Sequence, residues 1–446
     1  MMLNTFPQNP PNYTITSSLG SHLVLDKSRK IFDLTGGQTS HCTIGWGNQD
    51  VINAISKQLQ VCAHIDYKAF IDQNRNTLSD ILLSENHNNL KNVYFAGNSG
   101  GEACEAAMKL SFQTHHLNGE TRTKFLSRKE SYHGSTTEAM SLGDRPNLEM
   151  YRPLFPGNKI YAPEHNYYRC SNTGESEDQY LIRSLSEIEN IILSNEPNTI
   201  CAFIGETMTG GLSGYVPPSG TYWKRLKQIL DKYGIHLIID EVITGTGTSG
   251  TYHCIERDSV EPDFLFIGKT LTSGYVPLNA VLLGKKVNDI LSSTARIQQS
   301  TTHQGHSLGV AAAVAVQSIC KSKDLLSKVD EHGQEMRKRF LSNLSQSTFF
   351  KNCRGRGYRF AVEYQCDNMD EFGRALTKKL FEGSNLLIDA KWHRITLSPM
   401  LTENPVLLNE KVDLICEKFL EIEKEWGLHS HTNINKTISD PQARAF

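Results

Sequence analysis

Short apolar runs alternate with amphipathic stretches through the middle of the chain. Runs at 93–96, 200–204, 235–239 and 264–267, each bounded by Gly, Asn or Asp, read as buried strands. Between them, residues 102–113, 187–193 and 222–233 carry helical periodicity. That alternation predicts an α/β fold on a mostly parallel sheet. The polar, turn-rich segment 163–179 reads as a surface excursion from it. Both ends differ from the middle. A hairpin-like pair of runs at 22–26 and 30–34 precedes a helix at 49–60, and an apolar helix at 310–319 is followed by helices and short strands to about Trp426. The expected partition is a large unit at 61–309 and a smaller α+β domain built from 1–60 and 310–426. A polar tail at 427–446 is expected to fray.

Composition narrows the function without naming it. The 446 residues are 38% hydrophobic and 21% charged, enough for a sizeable core. Lys plus Arg number 46 against 48 Asp plus Glu, so there is no basic excess to attract nucleic acid or a membrane surface. No run approaches the ~18 apolar residues of a membrane span. The start, MMLNTFPQNPPNYTIT, has no basic region followed by an apolar stretch, so no signal peptide is read there. Ten cysteines are scattered singly, without a CxxC pair or zinc spacing. Free thiols in the cytoplasm, and no metal site, are the expectation.

Three places carry chemistry. In Asn98-Ser99-Gly100-Gly101-Glu102-Ala103 a glycine pair opens a helix, exposing N–H groups and the positive end of the helix dipole to a phosphate. At 235–241 a strand runs into Asp240 and Glu241, placing a carboxylate where α/β sheets bind ligands. Lys269 directly follows the run at 264–267 among small residues, where desolvation would make it a nucleophile toward aldehydes. Each has an ordinary reading when taken alone: a capped loop, a structural ion pair, a surface lysine. Gly245, Gly247 and Gly250 match a dinucleotide GxGxxG pattern, but no helical periodicity follows them. A phosphate, a cation and a carbonyl held at one sheet edge are together the groups of pyridoxal phosphate.

From about Gly20 to Leu401 the chain resembles the class III aminotransferases, fold-type-I pyridoxal-phosphate enzymes related to ω-amino-acid:pyruvate transaminases. The motifs stand in the family's order. Asn98 to Ala103 resembles the phosphate loop, implying cofactor contacts from Gly100 and Gly101. Ser131-Tyr132-His133-Gly134 resembles the motif that stacks an aromatic ring on the pyridine, implying Tyr132 and His133 as cofactor neighbours. Gly205-Glu206-Thr207 resembles a strand end whose glutamate orients the cofactor pocket. Asp240-Glu241-Val242 resembles the signature in which the aspartate pairs with the pyridine nitrogen and the valine covers the opposite ring face. The same match makes Lys269 the Schiff-base lysine and general acid–base. Thr301-Thr302-His303-Gln304-Gly305-His306 resembles the segment whose threonine reaches the neighbouring subunit's cofactor phosphate, so Thr302 implies a homodimer with composite sites.

The resemblance implies transfer of an amino group from an amine or ω-amino acid to pyruvate or 2-oxoglutarate by a ping-pong mechanism. Arg354, Arg356 and Arg394 are the candidates for gripping a substrate carboxylate. The alternative within the fold is an aminomutase; outside it, a nicotinamide oxidoreductase using the glycines at 245–250. Four departures from the family pattern bear on substrate rather than on chemistry. Thr246 and Thr248 replace an aromatic residue and an arginine, Thr207 replaces a proline, and Ser307 replaces another.

Overall fold

The computed structural model describes residues 13–66, 68–84 and 88–430; the Pro/Asn-rich start and most of the polar tail lie outside them. The central sheet has seven strands. They are β1 (Leu90–Phe95), β2 (Lys124–Arg128), β3 (Lys159–Ala162), β4 (Ile200–Glu206), β5 (His236–Asp240), β6 (Phe264–Ile267) and β7 (Ala280–Gly284). Their spatial order is β1-β7-β6-β5-β4-β2-β3. Only β7 runs antiparallel to its neighbours. The sheet is therefore mostly parallel, as expected, with β7 its one antiparallel strand.

Sheet strands buried on both faces give apolar runs rather than alternation. Leu237 and Ile239 pack into one core with Phe203, Leu265 and Trp223. Ile238 points the other way, into a second core with Phe264, Phe266 and Ile204. The helix at Gly100–Leu117 is capped reciprocally by Ser99 and Glu102, and it buries Ala103, Ala106, Ala107 and Leu110 against that second core. Helices at Glu177–Ser194 and Tyr222–Lys232 cover the opposite face. The first of these begins inside the segment read as a surface excursion, because Ser176 and Gln179 form a capping box there. No helix opens at Gly245–Gly250, where the backbone makes a series of turns. That removes the context a dinucleotide site requires.

Segments from the two ends of the described chain meet. Strands Ile15–Leu19, His22–Leu25 and Lys30–Asp33 form a meander, extended in parallel by Leu386–Leu387. A separate antiparallel sheet orders Phe350–Arg356, Arg359–Tyr364, Arg394–Leu397 and Asp389–Lys391. One apolar cluster unites Phe32 and Val51 with Phe360, Leu397 and Phe419. A triangle of hydroxyls ties these ends to the large sheet's loops: Ser40, Tyr215 and Ser398 lie 2.9 Å from one another. No helix among the described residues is long and apolar enough to cross a membrane.

Candidate active site

The site forms where β4, β5 and β6 end. Glu206 and Asp240, the last residues of β4 and β5, are register partners, so two carboxylates reach the same edge side by side. Lys269 stands two residues beyond the end of β6. One cavity of about 510 Å³ is lined by Gly100, Gly101, Tyr132, His133, Glu206, Asp240, Val242 and Lys269. The sequence spreads these residues over some 170 positions; the sheet edge brings them together.

Asp240 is 6% exposed, and each of its oxygens is held by one contact. One carboxylate oxygen accepts the Val242 N–H at 3.0 Å, and the other lies 2.8 Å from His133 Nδ1. His133 Nε2 is buried without a hydrogen-bond partner. Glu206 accepts the Gly210 N–H at 3.1 Å through one oxygen, while its other oxygen is buried without a hydrogen bond and faces the Arg128 guanidinium at 3.9 Å. Burial pushes the Glu206 carboxyl up, opposed by the charges of His133 and Arg128. Burial also lowers the Lys269 ammonium; Arg359 adds to that depression, and Asp240 and Glu206 oppose it. The Lys269 backbone is in the left-handed region at φ 30°, a conformation costly for a side-chain-bearing residue and typical of functional sites.

Gly100 closes the floor. A Cβ there would sit 3.1 Å from both methyls of Val242, tighter than ordinary contact. Its N–H and that of Gly101 belong to the first helical turn and have no intrahelical acceptor, which leaves them for an anion. Asn279 fixes the preceding loop: its side chain accepts from Gly97 N–H at 2.9 Å and donates to the Ser99 carbonyl at 2.6 Å. Tyr132 walls the cavity, with the Arg145 guanidinium 5.0 Å from its ring centroid.

The other predicted residues are elsewhere. Thr302 is exposed and outside the cavity, its carbonyl held by His64 Nε2 at 2.9 Å. Arg354 pairs with Glu363, which also takes Arg169 at 3.0 Å. Arg356 grips Asp258 through both terminal nitrogens, at 2.8 and 3.2 Å. Arg394 donates to the Gly211 carbonyl at 2.7 Å, and burial presses its pKa down to about 10. None of these three arginines lines the cavity.

Sequence reasoning missed three contributors. Glu241, next to Asp240, turns away from the cavity and is wholly buried. It accepts the Thr207 hydroxyl at 2.8 Å and the N–H groups of Cys254 and Ile255 at 2.9 and 2.8 Å. The threonine that departs from the family's proline thus serves a buried carboxylate. His41 lines the cavity, and Arg359 lies wholly buried behind it. The glycine pair at Gly36 and Gly37 and the lone Gly274 were the available signals for His41, but only the folded chain shows what they accommodate.

A glycine-opened helix N-terminus, a buried carboxylate and a desolvated lysine at one edge of a mixed sheet define the fold-type-I pyridoxal-phosphate transferases. Unpartnered His133 Nε2, with the Gly100 cradle, is a free group of the kind that cofactor engages. More narrowly, the chain belongs to the class-III aminotransferase family, which matches residues 5–421. It is 33% identical over 362 residues to an uncharacterized aminotransferase of Schizosaccharomyces pombe, covering 80% of this chain and 78% of that one. Gamma aminobutyrate transaminase 2 of Solanum lycopersicum is 29% identical, covering 92% of both chains. A solved transaminase from directed evolution by ancestral reconstruction superposes with a TM-score of 0.87 at 27% identity, covering 93% of each chain. The protein is a pyridoxal-phosphate-dependent aminotransferase.

Proposed function

We propose that the protein moves the terminal amino group of an ω-amino acid or diamine to a 2-oxo acid, pyruvate or 2-oxoglutarate, in a ping-pong cycle. The observation that carries the reading is the convergence of Lys269, Asp240 and the Gly100–Gly101 helix end on one cavity. The relative named as a gamma aminobutyrate transaminase supports a terminal-amine donor.

The residues divide the work. Gly100 and Gly101 hold the cofactor phosphate through their N–H groups and the helix dipole. Asp240, kept in place by His133 and Val242, pairs with the pyridine nitrogen. Tyr132 and Val242, which line the cavity with Glu206, would cover the bound cofactor's ring, and Glu206 would orient the pocket. Pyridoxal phosphate, when bound, supplies the electron sink for the carbon that bears the transferred nitrogen. Lys269 anchors the cofactor and then moves the proton at its Nζ as general base and acid. Its lowered pKa suits that role, since the free amine exists closer to neutral pH than on an exposed lysine.

Thr302, exposed and away from its own cavity, serves the site of a second protomer in a homodimer. The ends that share the sheet at Lys30–Asp33 and Leu386–Leu387 form the small domain, from 1–60 and 310–426, against a large unit at 61–309. Ten free cysteines accord with a reducing, cytoplasmic setting. Each half-reaction is testable by spectrum. An ω-amino acid alone should convert the bound cofactor's aldehyde absorbance to that of its amine form, and pyruvate or 2-oxoglutarate should restore it. Turnover of a single substrate with no oxo acid present would establish an aminomutase instead.

A further inference from the structure

We infer that His41 reads the substrate: its imidazole Nε2 hydrogen-bonds the carboxylate of the amino donor, at the part of the cavity wall it shares with Gly274. This rests on the donor class proposed above. The imidazole occupies a built seat. A Cβ at Gly37 would lie 2.4 Å from His41 Cε1, and one at Gly274 would lie 2.3 Å from Cδ2. Both glycines have left-handed backbones, at φ 76° and 80°. Any side chain at either position would displace the ring, so the histidine is clamped between two bare stretches of main chain.

The clamp fixes which nitrogen is available. Nδ1 lies 2.9 Å from Thr39 Oγ1, and Nε2 has no hydrogen-bond partner among the described residues. The Thr39 hydroxyl can donate to Nδ1, and in the tautomer we assign the hydrogen sits on Nε2, so a neutral imidazole offers one donor to the cavity. Burial, Lys269 and Arg359 all act to keep the ring uncharged.

The surroundings select an anion. Arg359 is wholly buried and bonds only to the carbonyls of Ile243, Tyr358 and Ser40, each at 3.3 Å. No carboxylate is paired with it among the described residues, and a buried unpaired cation favours a negative ligand nearby. The cavity's own carboxylates are held by other groups, Asp240 by His133 and Glu206 by the Gly210 N–H and Arg128. The three arginines nominated from sequence hold Glu363, Asp258 and the Gly211 carbonyl. A donor whose amine addresses Lys269 therefore meets His41 as the free hydrogen-bond donor backed by positive charge.

The test compares the wild-type holoenzyme with His41→Leu and His41→Gln, using 4-aminobutanoate and butylamine as donors and pyruvate as acceptor. A hydrogen bond to a charged group corresponds to about a ten- to hundredfold change in affinity. His41→Leu should raise KM for 4-aminobutanoate by that factor and leave KM for butylamine and both kcat values within about threefold. His41→Gln, which keeps an N–H donor, should recover most of the loss. Inhibition by butanoate, which cannot react, should weaken in parallel with the 4-aminobutanoate KM. Equal losses for both donors, or an unchanged KM for 4-aminobutanoate, would overturn the inference. Should the wild type convert no carboxylate-bearing donor, the donor class falls, and butanoate binding alone decides His41: weakened in His41→Leu supports it, unchanged refutes it.

Discussion

The two edges of the central sheet differ in what they do with charge. At the edge where β6 begins, a groove of about 630 Å³ is lined by Lys224, Lys227, Asp231, Asp263, Lys285 and Asp289. It is the larger opening, yet several of its charges answer one another. Lys227 sits between Asp231 and Asp263, Lys285 meets Asp289, and Asp263 also accepts the Leu237 N–H at 2.8 Å. At the opposite edge the smaller cavity holds an orphaned His133 nitrogen, a Glu206 oxygen without a hydrogen bond and a lysine in a strained backbone. A buried polar group without a partner costs about 1–3 kcal/mol. Retaining several such groups in one place marks the edge that expects a ligand, and volume does not.

The sharpest break of this comparison is Lys269→Ala. Turnover should fall by about 10⁴-fold or more, because both the anchoring amine and the proton carrier are removed. A variant retaining a tenth of wild-type activity would show that the chemistry lies elsewhere. Asp240→Asn should cost about 100-fold through the lost negative charge. The carboxylate raises the Lys269 pKa, so its removal should lower that pKa further. Amine-selective labelling of the apoenzyme would then see Lys269 react at a lower pH than in the wild type. A shift to higher pH would contradict the electrostatic assignment.

A smaller effect is expected where the two networks touch. Thr207→Val deprives buried Glu241 of one donor and should destabilise the fold by about 1–2 kcal/mol, read as a lower Tm, while activity per folded molecule persists. The smallest belongs to the far edge. Lys285→Ala breaks an exposed pair and should change stability by less than about 0.5 kcal/mol, with kcat/KM unaltered. Loss of activity there would mean that the larger groove communicates with the cavity.

Much of this was legible in the sequence, for identifiable reasons. β5 and β6 are buried on both faces and therefore appear as unbroken apolar runs, as does most of β4. β2 and β3 begin with lysines, and Lys159 is used to pair with Glu138, so their apolar signal is diluted. β7 is as apolar as its neighbours but was not distinguished from its surroundings. In the site, Asp240 is readable because it ends a strand run and Lys269 because it stands two residues past one. The arginines are not, because a guanidinium's role depends on its partner. Arg356 belongs with Asp258, 98 positions away, and nothing in either neighbourhood announces the other. His41 needed one near glycine, Gly37, and one distant one, Gly274, to acquire meaning.

The hydroxyl triangle of Ser40, Tyr215 and Ser398 has a consequence for how the enzyme comes into being. Ser40 and Ser398 are separated by 358 positions, so their contact closes a loop of nearly the whole chain. A polypeptide emerging in order carries Asp240 and Lys269 well before it carries Ser398. The groups that perform the chemistry are thus synthesised ahead of the strut that fastens the segment bearing His41, and the reactive lysine exists for a time in a chain whose cavity has not been finished.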